Sequence, residues 1–152
     1  MGIIERIHAA FSPRTSLLAE LAETAGHVEA LASNLRRHAD ECAYPNIKAG
    51  LGRLAQSETA QANALRELLL DRGAWPRLPD VSVHDGSNNW ERLKRDLELQ
   101  VRLVRELNLQ IPEWASVDSD LSERLREFAA KEDENIGELR DLTLKCDPQA
   151  LD

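Results

Sequence analysis

Two short stretches of this chain set carboxylates and amides where a packed helix needs leucine. Glu58-Thr-Ala-Gln61-Ala-Asn-Ala-Leu65-Arg66-Glu67-Leu68 and Glu132-Asp-Glu-Asn135-Ile-Gly-Glu-Leu139-Arg140-Asp141-Leu142 share the pattern E-x-x-[QN]-x-x-x-L-R-[ED]-L, repeated 74 residues apart. Residues three and four apart lie on one helix face, so each Glu and each amide falls on the leucine stripe. A lone carboxylate is costly to withdraw from water unless it is paired, protonated or bound to metal. Glu58, Gln61, Glu132 and Asn135 therefore form one expected polar layer. Two chemistries fit it: a metal site, or a network in which carboxyl and amide groups complement one another and share a proton.

Other reactive side chains point less clearly to chemistry. His8, His27, His38 and His84 show no ligand-pair spacing and read as solvated. Cys42 and Cys146 close two apolar stripes and read as buried free thiols. No G-x-S-x-G, glycine-rich phosphate loop or Ser/His/Asp set is present in the sequence.

The elements that position the layer are helices. Leu and Ala supply 43 of the 152 residues against 16 for Val, Ile and Thr, a bias that favours helix over strand. Apolar residues recur at steps of three and four from Leu18 to Cys42, Ile47 to Leu68, Trp90 to Ile111 and Leu121 to Cys146. Caps and breakers set bundle helices at 13–42, 45–72, 88–111 and 120–146: Ser12-Pro13, Tyr44-Pro45, Asn88 with Glu91, and Asp120 with Glu123 at the starts; Gly73, Pro76 and Pro148 beyond the ends. On the third helix the stripe is read as Trp90, Leu93, Leu97, Val101, Val104, Asn108 and Ile111. Short connections make two antiparallel hairpins. Residues 74–87, with Trp75, Pro76, Pro79 and Gly86, are long enough to cross the length of a bundle between them, which would make the second and third helices parallel; the other reading is a surface loop in an up-down-up-down bundle. Residues 1–12 form an N-terminal arm with Ile3, Ile4, Ile7 and Phe11 at helical spacing, expected to be a short helix docked on the single domain.

With these motifs in place the chain resembles the ferritin-like superfamily, nearest to its rubrerythrin-type members. The resemblance covers roughly Leu17 to Cys146. It implies an all-α, ferritin-like four-helix bundle in which the second and fourth helices each carry Glu-x-x-His and the first and third each carry a Glu, around two metal ions. Glu58 and Glu132 match the bridging carboxylates, whereas Gln61 and Asn135 stand where the histidines belong. By heptad register the other two ligand positions fall on Ala25 and Leu97; a one-residue slip would bring Glu98 inward instead. With four of six ligands replaced, the layer is expected to be vestigial, without cofactor and without catalysis, serving a structural, regulatory or partner-binding role. The alternative is a metal-dependent oxidoreductase or metal-handling protein that holds iron or manganese with Glu58, Glu132 and Glu98.

The formal charge of −8, from 27 acids and 19 Lys plus Arg, argues against nucleic acid and anionic membranes as partners. No apolar run reaches bilayer length and the first residues do not form a signal peptide, so a cytoplasmic location is expected. The apolar N-terminal arm is a candidate contact for a homodimer; the residues identify no particular protein partner.

Overall fold

In a computed structural model of the chain, residues 12–79 and 86–147 are described. Four long helices pack together: α1 Pro13–Glu41, α2 Pro45–Leu70, α3 Asn89–Ala115 and α4 Ser119–Lys145. Among the described residues there is no strand. The N-terminal arm, the middle of the crossover and the tail after Asp147 lie outside the described residues, and with them His8, His84 and Pro148.

Helix limits follow from local chemistry. Ser12 accepts a hydrogen bond from the Thr15 N–H, and Pro13 occupies the first turn, where its missing N–H costs nothing. Asn88 accepts from the Glu91 N–H at 2.9 Å, and Glu91 reaches back to the Ser87 N–H at 2.8 Å. Gly73, at φ 74°, closes α2 in the left-handed conformation that glycine adopts without steric cost.

The limits agree with the sequence expectation to within two residues except at the end of α3, and the cap of α4 is a different residue. α4 is capped by Asp118, not Asp120: Asp118 Oδ1 accepts from the Leu121 N–H at 3.0 Å, while its Oδ2 accepts from Arg72 Nε at 2.7 Å. One carboxylate thus both starts α4 and ties it to the end of α2. α3 continues through Pro112 to Ala115 instead of stopping at Ile111. Pro112 and Asn108 lie on the exposed face, where water can satisfy the carbonyl that the proline leaves unbonded.

α1 packs on α2 and α3, and α4 packs on the same two helices, leaving α2 and α3 diagonal. α1 and α3 are antiparallel, since Thr24 meets Gln110 while His38 meets Asp96. α2 and α4 are also antiparallel, since Ser57 meets Asn135 while Gln61 meets Phe128. The diagonal helices α2 and α3 therefore run the same way, and the link between them must travel the length of the bundle. It is anchored on α1 as it sets out: the Arg77 N–H donates to the Ala22 carbonyl at 2.8 Å, and a Cβ on Gly26 would sit 1.7 Å from the Arg77 carbonyl oxygen. Only glycine lets the two backbones approach this closely.

The inner face of α3 is not the stripe read from the sequence. Buried are Leu93, Asp96, Gln100, Leu103, Val104, Leu107, Gln110, Ile111 and Trp114, whereas Leu97 and Val101 are half-buried and Asn108 is exposed. Apolar counting favours the wrong face because the true one carries three polar residues. That face also buries the whole Trp114 ring, whereas Trp90 on the expected stripe is only half-buried.

Candidate functional site

The expected polar layer exists, midway along the bundle, and its centre is a residue that the sequence reading left out. Glu58 and Glu132 are 0% exposed, Gln100 1% and Asn135 2%. Gln100 Nε2 lies between the two carboxyls, donating to Glu58 Oε1 at 2.7 Å and to Glu132 Oε2 at 3.0 Å. Asn135 Nδ2 donates to Glu58 Oε1 at 2.8 Å and to Ser57 Oγ at 3.0 Å. Gln61 Nε2 reaches Glu132 Oε1 at 3.3 Å and the Phe128 carbonyl at 3.0 Å. The sequence motif thus pairs each carboxyl with the amide carried by the other helix.

Burial, followed by the charge of Glu132 and a carboxyl–carboxyl hydrogen bond with it, pushes the Glu58 carboxyl up to about 9; the Asn135 amide pulls weakly the other way. Glu58 is therefore a neutral acid at pH 7. The position of its proton follows from the geometry. Glu58 Oε1 already accepts two N–H groups, whereas the buried Oε2 faces no donor. A proton on Oε2 turns an unpaired buried acceptor into an O–H donor, a form that the neighbouring Glu132 carboxyl favours.

Two expected ligand positions fall elsewhere. Leu97 is half-buried beside the layer and Glu98 is exposed, so no register slip brings that carboxylate inward. Gln100 stands on α3 instead. Ala25 is fully buried, but at the wrong height. The pairings Thr24–Gln110 and His38–Asp96 place Gln100 level with Asn34, next to the buried Leu35 and about 14 Å along α1 from Ala25 at 1.5 Å per residue. A stripe fixes the face of a helix and not the level along it.

His38 is not solvated. It is buried, and its Nδ1 lies 2.5 Å from Asp96 Oδ2 in a pair that joins α1 to α3. Burial raises the Asp96 carboxyl, opposed by the hydrogen bond and charge of His38 and by Arg37 and Asn34. The signal was available: His38 continues the steps Leu31, Leu35, His38, Cys42. His27 is partly buried, 3.5 Å from Glu106. Cys42 and Cys146 are free; burial, then Cys42, raises the Cys146 thiol.

Gln61 also lines a cleft of 650 Å³ between the ends of α2 and α4, with Phe128, Arg72 and Asp118. Gln61 thus touches both this cleft and Glu132. Among the described residues, no group of three or more His, Cys, Asp or Glu is placed to hold a metal ion, and no helix is long and apolar enough to cross a membrane. No protein-family model and no curated protein matches the chain.

Proposed function

We propose that this chain is a ferritin-like, rubrerythrin-type bundle in which a hydrogen-bonded carboxyl–amide layer replaces the di-metal centre. Its role is then non-catalytic: structural, regulatory or partner-binding, in the cytoplasm. The duplicated motif supports the kinship, together with the parallel, diagonal α2 and α3 and the long link between them.

The observation that carries the loss of function is the Gln100 amide. Its N–H groups occupy the space between the two carboxyls where a bridging cation would need to sit. The donor set does not suit iron or manganese. Amides turn their N–H groups, not their oxygens, toward the carboxyls, and Glu58 would have to surrender a firmly held proton before it could bind. The metal-handling alternative loses its third carboxylate, because Glu98 points to solvent.

Elemental analysis of protein purified without chelators tests the proposal, together with melting curves recorded with and without Fe(II), Mn(II) and Zn(II). The expected protein is metal-free and melts at one temperature in all cases. Stoichiometric metal, or a melting point raised by one of the ions, sinks the proposal.

A further inference from the structure

α4 carries a second pattern on the side away from the polar layer. Arg126, Ala130, Asp133, Gly137, Arg140 and Leu144 follow at steps of four and three, and all six are exposed. About a centre at Ile136–Gly137 the pattern inverts in charge: Asp133 corresponds to Arg140, and Arg126 to Asp147, with small or apolar residues between them. Asp133 and Arg140 are two turns apart on one helix, about 10 Å, too far to pair with each other. Among the described residues neither has an ion pair.

The middle of this stripe, Asp133, Gly137 and Arg140, lines one wall of a 550 Å³ groove whose other wall is α3, with Val101, Val104, Leu109 and the polar Arg105 and Asn108. Leu109 is 71% exposed and Leu144 58%. At the centre of the stripe Gly137 has open space where a Cβ would be, so a partner helix can come close.

We propose that this face binds a second copy of the chain, with the two α4 helices antiparallel about a twofold axis at Ile136–Gly137. Each Asp133 then meets the partner's Arg140, and the exposed apolar residues along the seam leave water. A twofold interface brings one patch against itself, so it needs a surface that is complementary to itself under inversion. This stripe has that property, and charge complementarity sets the register. The complementarity must be local, because two chains of charge −8 repel overall.

Sedimentation equilibrium of the full chain at tens of micromolar tests this, with circular dichroism to confirm that each variant is folded. The wild type is expected to be a dimer. Asp133→Arg sets Arg against Arg and Arg140→Asp sets Asp against Asp, and each weakens association ~10-fold or more. The double variant D133R/R140D exchanges the charges and is expected to recover the dimer, a rescue that a role confined to the monomer does not give. Gly137→Glu is expected to abolish association and leave the fold intact. A monomeric wild type overturns the proposal, as does a dimer indifferent to the single reversals or a double variant that fails to recover. A monomer that dimerises only after deletion of residues 1–11 overturns it as well, and assigns the groove to that segment.

Discussion

Glu58→Gln separates the proton in the layer from the shape of the layer. The Glu58 carboxyl rises from 4.5 to about 9 on folding, so between those values the folded chain holds a proton that the unfolded chain releases. The stabilisation from that proton is complete below pH 4.5 and is lost as pH climbs toward 9. One proton is worth about 1.4 kcal/mol per pH unit, so roughly 3 kcal/mol disappears between pH 6 and pH 8. For a chain of this length that is a fall of about 6–12 °C in melting temperature. In Glu58→Gln the amide oxygen still accepts from Gln100 and Asn135, and its N–H donates to Glu132 where the acid O–H did. The amide does not titrate. Melting curves at half-unit steps from pH 5 to pH 9 should therefore give a difference, variant minus wild type, that grows steadily with pH and levels off above 9. Glu132→Gln removes the second cause of the shift and leaves burial, so its own pH dependence should survive over a narrower window. A flat difference between wild type and Glu58→Gln across this range would refute the placement of the proton.

Gln100→Leu strips the donor from both carboxyls and should cost about 2–4 kcal/mol at pH 7 in urea titrations. Gly26→Ala drives a Cβ into the Arg77 carbonyl and should release the link from α1 at a cost of about 1–3 kcal/mol, with faster tryptic cleavage after Arg72 and Arg77. Leu35→Glu and Gln100→Glu combined with Gln61→His and Asn135→His should create divalent-metal binding measurable by calorimetry. A folded variant without affinity would count against the height assigned to α1.

The features legible in the sequence are those governed by spacing alone. Steps of three and four gave the four helices, and the offset of 74 residues gave Glu58, Gln61, Glu132 and Asn135 as one layer, with each amide on the carboxyl of the opposite helix. Two things were not legible for the same reason. Ala25 lies on the correct face of α1 about 14 Å from the layer, because a heptad repeats its face every seven residues and carries no height. Gln100 and His38 were passed over because polar residues reduce the apolar score of the face they belong to, yet both are buried, with partners on another helix. Trp114, fully buried on the inner face of α3, lies beyond the expected end of that helix at Ile111 and so took no part in the reading of its face.

The buried polar groups fix what the apolar stripes leave open. Leucine faces are nearly interchangeable: α3 offers two stripes about one residue apart, and each could slide along α1 by a turn with little change in apolar burial. Polar pairs remove that freedom, because a slip of one turn, 5.4 Å, leaves every one of them unpaired in the core. Thr24 with Gln110, Gln100 with the two carboxyls, and His38 with Asp96 stand at three heights along α3. Each costs stability relative to a well-packed apolar layer, and together they select one register from several. The two carboxyls meet across the Gln100 amide, and on the proposed kinship with metal-binding bundles that contact would set the register in place of a cation. Fixing the helix register is by itself a sufficient physical reason for Glu58 and Glu132 to stand in a core that leucine could fill.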